Sequence, residues 1–331
     1  MAKMQEKIDK FIFECNKEFA KNGRSELFVK AEDAVISTRN GEYIVRFSKE
    51  VQGVNIEKFT NGIINTRYAV AIFNFAREIE GVDVNKLADA VINLKSAEYI
   101  YNFARHIKGV DIEKLQDAII QMGCAEYIYK FARDVKNANP EKLTKAISNT
   151  NSGRYIYEFA LLDKVDGSRL NDAILHSNDI NYILAFAKDV KGADKNAIMK
   201  EIIRRGFAEY VYRFANEVEG ANLDVLTDAM INFGQSDFIF LFLFIKGVNV
   251  DKVVDSIIAT GDTAYMFRAI RCVDEKNIDR LAKHLLSGKS LNCVENIKDE
   301  IARSKHLANL RNARKNQHYD AMESVLDDFK H

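Results

Sequence analysis

The segment starting at Ala97 reads AEYIYNFARHIKGVDIEKLQDAI, and the one starting at Ala125 reads AEYIYKFARDVKNANPEKLTKAI. The second is a close copy of the first, 28 positions on. Repetition at so short a period constrains a chain more than any other feature. A unit of this length cannot enclose a core, so it must bury its apolar side against its neighbours. An aromatic four positions before a central Phe traces the repeat. Tyr99, Tyr127, Tyr155, Tyr182, Tyr210, Phe238 and Tyr265 follow one another at steps of 28 or 27. Tyr43 and Ala71 extend the ladder upstream, and Cys15, ahead of Phe19, stands where it would begin. The two steps of 27 drop a residue before Asp166 and Asn249, between the halves of a unit, where a turn is expected.

Each unit reads as two short helices. In the first, Tyr99, Ile100, Phe103, Ala104 and Ile107 share one helical face, with Tyr99 taken as the centre of the buried side. Leu115, Ala118 and Ile119 do the same in the second. Gly53, Gly81, Gly109, Gly192, Gly220 and Gly247 stand at the end of the first helix, where a left-handed C-cap favours glycine, and Asn137 takes that place in one unit. Asn55, Asp83, Asp111, Asn139, Asp166, Asp194, Asn222 and Asn249 are N-caps for the second helix. The single proline, Pro140, follows Asn139 at the first helical position, where a missing N–H is harmless. The expected fold is all-α: an α-solenoid of about nine to ten helical-hairpin repeats. Residues 1–40 form a degenerate N-terminal repeat or cap, residues 41–286 the array, and residues 287–331 a helical C-terminal cap.

The Y-I-Y-x-F-A-[RK] core and the G-[VA]-[DN]-x-x-K-L turn resemble the short HEAT-like helical-hairpin repeats of low-GC bacteria and their phages, over about residues 40–270. The resemblance implies a fold and an intracellular, cytoplasmic setting. It implies no activity, because that family is largely uncharacterised. A bacterial or phage factor that sequesters or inhibits another macromolecule, including an anti-defence protein, would fit it.

Composition narrows the function classes. The chain has 331 residues, 47% apolar and 29% charged, with 48 Lys and Arg against 48 Asp and Glu. A neutral total removes the simplest electrostatic case for nucleic acid or an acidic membrane. No apolar run approaches a membrane span of roughly 20 residues, and the charged N-terminal stretch is not a signal peptide. The four cysteines are widely separated, which argues against a disulfide framework or a zinc site and fits a reducing compartment. No two histidines pair at helical spacing, and HExxH is absent. The GKS of Gly288–Ser290 lacks the earlier glycine and the preceding strand of a phosphate loop. The expectation is a protein without catalysis, cofactor or metal.

Recognition then depends on the faces of the first helices. The position of Tyr101 is aromatic in most units, as in Phe73 and Tyr129, and the position of Arg105 is often basic, as in Lys49, Arg77, Arg133, Lys188 and Arg271. Such columns form either inter-repeat packing, with Glu126 meeting Arg105, or a groove that holds a partner. On the second reading Phe73, Arg77, Tyr101, Arg105, Tyr129 and Arg133 are partner-binding candidates. A protein partner is the leading expectation, and a DNA- or RNA-binding groove the alternative. Arg303, Arg311, Arg314 and Lys315, in a C-terminal stretch free of acids, are possible phosphate contacts.

One segment departs from the pattern. SDFIFLFLFIKG, from Ser236, has eight consecutive apolar residues, Phe238 to Ile245. Aligned with the other units, Leu241 replaces a mostly polar position, Phe244 the Arg105 position, and Ile245 an acidic one. A helix apolar all round is covered by something. The C-terminal cap, a partner or a second copy could do so, and a homodimer through the Phe238–Ile245 helix would result in the last case.

Overall fold

Asn and Asp side chains start the second helix of successive hairpins as the spacing predicts. Each of Asn55, Asp83, Asp111, Asn139, Asp166, Asp194, Asn222 and Asn249 accepts a hydrogen bond from a backbone N–H two or three residues on. Those N–H groups have no partner inside the helix, so the cap satisfies them at the point where the chain turns. Pro140 occupies the first turn of its helix, after the Asn139 cap. The computed structural model describes residues 2–287, 297–309 and 311–312, and among these residues the regular structure is entirely helical. The all-α, stacked-hairpin architecture is therefore the one observed.

The chain divides into two compact units. One is Met1–Tyr182 with Val190–Gly192, and the other is Ile183–Asp189 with the described residues from Ala193 onward. In the first unit the helices Gly41–Glu50, Ala69–Glu78, Ala97–His106, Ala125–Asp134 and Gly153–Ala160 pack successively on one another. The second helices of its hairpins, Ile56–Asn65, Val84–Asn93 and Ile112–Met122 among them, form a parallel layer. The second unit repeats the scheme, with Ala208–Glu217 on Ser236–Phe242 on Thr263–Ile270 in one layer and Lys195–Arg205 through Glu275–Leu286 in the other.

Phenylalanines lie between the layers of each unit, all fully buried: Phe47, Phe75, Phe103, Phe131 and Phe159 in the first, and Phe186, Phe214 and Phe242 in the second. Beside them in the first unit lie Ile44, Ile72, Ile100, Ile128 and Ile156, and in the second Ile183, all inaccessible. The ladder tyrosines expected at the centre of the buried side are at its flank. Tyr99 is only half-buried, whereas Ile100 and Phe103 are inaccessible. An all-carbon ring leaves no polar atom to satisfy at the centre, whereas a tyrosine needs its hydroxyl near an edge.

The glycines act one step later than expected. The helix Ala208–Glu217 ends on Val218 in extended conformation, and Gly220 then adopts φ +75° within a turn closed by a bond from the Ala221 N–H to the Val218 carbonyl, 3.2 Å. Val218 is thereby directed into the core, at 4% exposure. Asn137 does the work of glycine at φ +61°. The steps of 27 are absorbed in the last turn of the first helix. Ser236–Phe242 stops early, and the Ile245 N–H bonds to the Phe242 carbonyl three residues back, where the longer helices bond four back. Ile245 thus lands where Ile107 and Val218 sit, and it is 7% exposed. It does not replace an acidic residue. The deletion removed that position, and Ile245 belongs to the core.

The N-terminal hairpin lacks the motif and is held differently. Its first helix, Ala2–Asn22, is long, and Glu32 in the second is inaccessible to solvent. The Glu32 carboxylate accepts from both terminal nitrogens of Arg24, at 3.0 and 2.8 Å, and from the Asn55 N–H at 2.8 Å. A buried charge so fully bonded ties this hairpin to the next.

Candidate partner-binding face

The aromatic column on the first helices is a zipper between hairpins. Each edge aromatic packs on the ladder aromatic of the following hairpin. Ring centroids are 5.9 Å apart for Phe73–Tyr99, 6.1 Å for Tyr101–Tyr127, 6.0 Å for Tyr129–Tyr155 and 5.9 Å for Tyr157–Tyr182 in the first unit. In the second unit they are 6.5 Å for Tyr212–Phe238 and 5.7 Å for Phe240–Tyr265. These are the distances of favourable tilted ring pairs. Phe73 and Tyr101 are buried by this packing, and Tyr129 is half-buried.

The basic column is paired as well, to a different carboxylate from the one expected. Arg105 reaches Asp134 of the next hairpin, at 3.8 Å, and Lys49 reaches Glu78 at 2.9 Å. Lys188–Glu217 and Arg271–Glu300 repeat the rung in the second unit, at 3.5 and 2.7 Å. Each rung spans 29 residues. Glu126, the residue expected opposite Arg105, bonds to Lys130 one turn along its own helix. It lies at the start of its helix and Arg105 at the end of the preceding one, so the acidic residue level with Arg105 is the one closing the next helix. Arg77 and Arg133 each bond to the carboxylate next to them in sequence, Glu78 and Asp134. Their guanidinium carbons lie 5.5 and 5.1 Å from the ring centres of Phe73 and Tyr129, and that of Arg105 lies 5.9 Å from Tyr101. Cation–π contact of this kind flattens the cation on its own helix.

The best-connected junction holds a hydroxyl between opposite charges. Tyr101 donates to Asp134 at 2.6 Å, and Arg105 donates to the same hydroxyl at 2.7 Å. Burial pushes the Tyr101 hydroxyl above its ordinary pKa, and Asp134 adds to that. The Arg133 guanidinium holds the Asp134 carboxyl down against the effect of burial, with Tyr101 assisting.

One junction lacks both rings. Its edge position is Val45 and its ladder position is Ala71, and an open cavity of about 560 Å³ lies there. Lys49, Glu78, Arg46 and the exposed Tyr68 also line it. Sequence reasoning placed Ala71 in the ladder but did not pair it with Val45. The register of the repeat contained that signal.

The apolar run resolves into three fates. Phe244 is 57% exposed, and its ring stands edge-on to Phe240 at 5.4 Å. Leu241 is half-buried, and Ile245 is core. The described part of the C-terminal region, residues 297–309, is tied to the Thr263–Ile270 and Glu275–Leu286 hairpin, through Arg271–Glu300 and Lys305–Asp279 at 2.5 Å. Of the possible phosphate contacts, Arg303 lies 3.8 Å from Glu300 and Arg311 donates to the Arg271 carbonyl at 3.3 Å. Arg314 and Lys315 lie outside the described residues, as does most of the predicted cap beyond residue 309. His106 is exposed, with its ring 6.3 Å from Phe73.

Among the described residues, no group of three or more His, Cys, Asp or Glu is placed to hold a metal ion, and no helix is long and apolar enough to cross a membrane. Cys15, Cys124 and Cys272 are free thiols. No family model and no curated protein matches the chain. Among solved structures, it is similar to a chain described as "Computational Design of Self-Assembling Cyclic Protein Homooligomers", at 13% identity over 92% of this chain and 96% of that one. The TM-score of that match is 0.10, too low to bear on shape or function.

Proposed function

We propose that this protein is a non-catalytic scaffold of the cytoplasm that binds or sequesters a protein partner through its first-helix face. The observation that carries the reading is the neutralisation of that face. All six basic side chains of the column, Lys49, Arg77, Arg105, Arg133, Lys188 and Arg271, lie within 4 Å of a carboxylate. A surface that tracks phosphates keeps its cations available, because the release of counterions from the nucleic acid drives that binding. Beyond their own junctions, the first helices expose aromatic and apolar side chains: Tyr68 at 67% exposure in the first unit, and Phe244 with half-buried Leu241 in the second. Exposed aromatics with a charged, neutralised surround are the usual anchors of protein interfaces.

The test is affinity capture from the source cell with the wild type and with a Leu241→Lys/Phe244→Arg variant. The reading expects a protein retained by the wild type and lost or reduced with the variant. Retention of nucleic acid alone, removed by nuclease, would contradict it.

A further inference from the structure

We propose that the cavity between the helices Gly41–Glu50 and Ala69–Glu78 is a binding site for a tyrosine side chain presented by a partner protein. Comparison of junctions within the molecule carries the inference. Where Tyr101 meets the next hairpin, its ring packs on Tyr127 and its hydroxyl sits between Arg105 and Asp134. Two repeat steps upstream, the corresponding positions are Val45 for Tyr101, Lys49 for Arg105, Glu78 for Asp134 and Ala71 for Tyr127. The charged pair that would hold a phenol hydroxyl is therefore present. Lys49 and Glu78 are 2.9 Å apart, and both line the cavity. Both rings are missing, and the smaller Val45 and Ala71, 9% and 8% exposed, stand at the wall of the open cavity.

Three further observations fit this occupant. The volume of about 560 Å³ is within the range of small-ligand sites and admits a ring with its backbone. Tyr68 and Val70, 67% and 38% exposed, supply apolar surface for the residues flanking an inserted ring. The Lys49 ammonium, and with it the adjacent Arg77 guanidinium, holds the Glu78 carboxyl below the ordinary carboxylate range, so at neutral pH it is the ionised acceptor that a phenol needs.

This inference rests on the reading of the chain as a protein-binding scaffold, so its test is made separable from that reading. The probe is p-cresol, the tyrosine side chain alone, titrated into the full chain carrying ¹³C-labelled Ala and Val methyl groups. Toluene is the ring without the hydroxyl. The expected result is a saturable shift of the Val45 and Ala71 methyl signals by p-cresol, with toluene at least about 5-fold weaker, the factor for one net hydrogen bond. Val45→Tyr, which supplies the ring from within as Tyr101 does, should remove the response. Should that variant not fold, Glu78→Ala should bring p-cresol down to the level of toluene. Unmoved Val45 and Ala71 signals at tens of millimolar p-cresol would overturn the site. So would equal responses to cresol and toluene, or an unchanged response in a folded Val45→Tyr. A captured partner indifferent to p-cresol and to Val45→Tyr would overturn this site and leave the scaffold reading standing. A p-cresol response with no captured partner would do the reverse.

Discussion

The Tyr101 hydroxyl donates to the Asp134 carboxylate at 2.6 Å, joining two hairpins through residues 33 positions apart. This contact changes the meaning of the aromatic column. A side chain read from sequence as a candidate for gripping a partner is instead a fastener of the array, with Arg105 on its other side. On the proposed function, a partner would use what the junctions leave over.

Tyr101→Phe should therefore weaken the array while the ring pair with Tyr127 survives. The loss of one partly buried hydrogen bond to a charged acceptor costs about 1–2 kcal/mol. Asp134 retains Arg133 at 2.9 Å, which limits the damage. Urea denaturation should show a lower midpoint, and amide exchange should quicken in the helices Ala97–His106 and Ala125–Asp134.

The apolar run gives a contrast between neighbours. Ile245→Ala should cost about 2–4 kcal/mol, as for other buried large-to-small changes. Phe244→Arg, at a side chain 57% exposed, should change stability by about 0.5 kcal/mol or less. Thermal denaturation of the two variants checks this. Equal losses would contradict the assignment of Ile245 to the core.

Backbone strain offers a gain. Six of the second helices end on a left-handed residue, which is glycine at Gly123, Gly206, Gly234 and Gly261 but a side-chain-bearing residue at Arg67 and Lys95, with φ of 57° and 52°. The left-handed conformation costs a residue with a Cβ about 1–2 kcal/mol, and glycine returns part of this through its freer unfolded chain. Lys95→Gly should raise stability by about 0.5–1 kcal/mol, the remainder of those two terms. A lower denaturation midpoint would refute it.

Acid should act through the paired carboxylates. The Arg204 guanidinium, with Arg205, brings the Glu201 carboxyl from an ordinary 4.5 to about 2, against the opposing push of burial. A lowered folded-state pKa stabilises the fold above the unfolded value, and that contribution is lost as pH falls through the folded one. Glu201→Gln should be less stable than wild type at pH 7, and the difference should shrink between pH 4.5 and 2. Denaturation midpoints across that range measure it.

Local signals made the hairpins legible. A cap is decided within three residues of itself, so Asn55 or Asp111 could be read directly, and a fixed 28-residue spacing multiplied the evidence. What escaped depended on a neighbour one repeat away. Tyr99 reads on one helix as the centre of the buried side, yet the following hairpin makes Tyr101 the more buried. The repeat pattern puts Glu126 opposite Arg105, whereas the rung runs to Asp134, because the axial offset of adjacent helices is not written in either. Ile245 was misaligned because a one-residue deletion can be absorbed in a helix end as well as in a loop. The cavity at Val45 and Ala71 needed both columns to be aligned across a junction, a step the repeat register permitted. Glu32 belongs to a hairpin without the motif, and no pattern announced its burial.

The central claim is that paired charges make this face a protein-binding surface and not a phosphate-binding one. Titration of the full chain with mixed single- and double-stranded nucleic acid at low salt, followed by stepwise addition of salt, tests it most directly. The account predicts no binding at low salt. Tight binding that falls steeply as salt rises would contradict it.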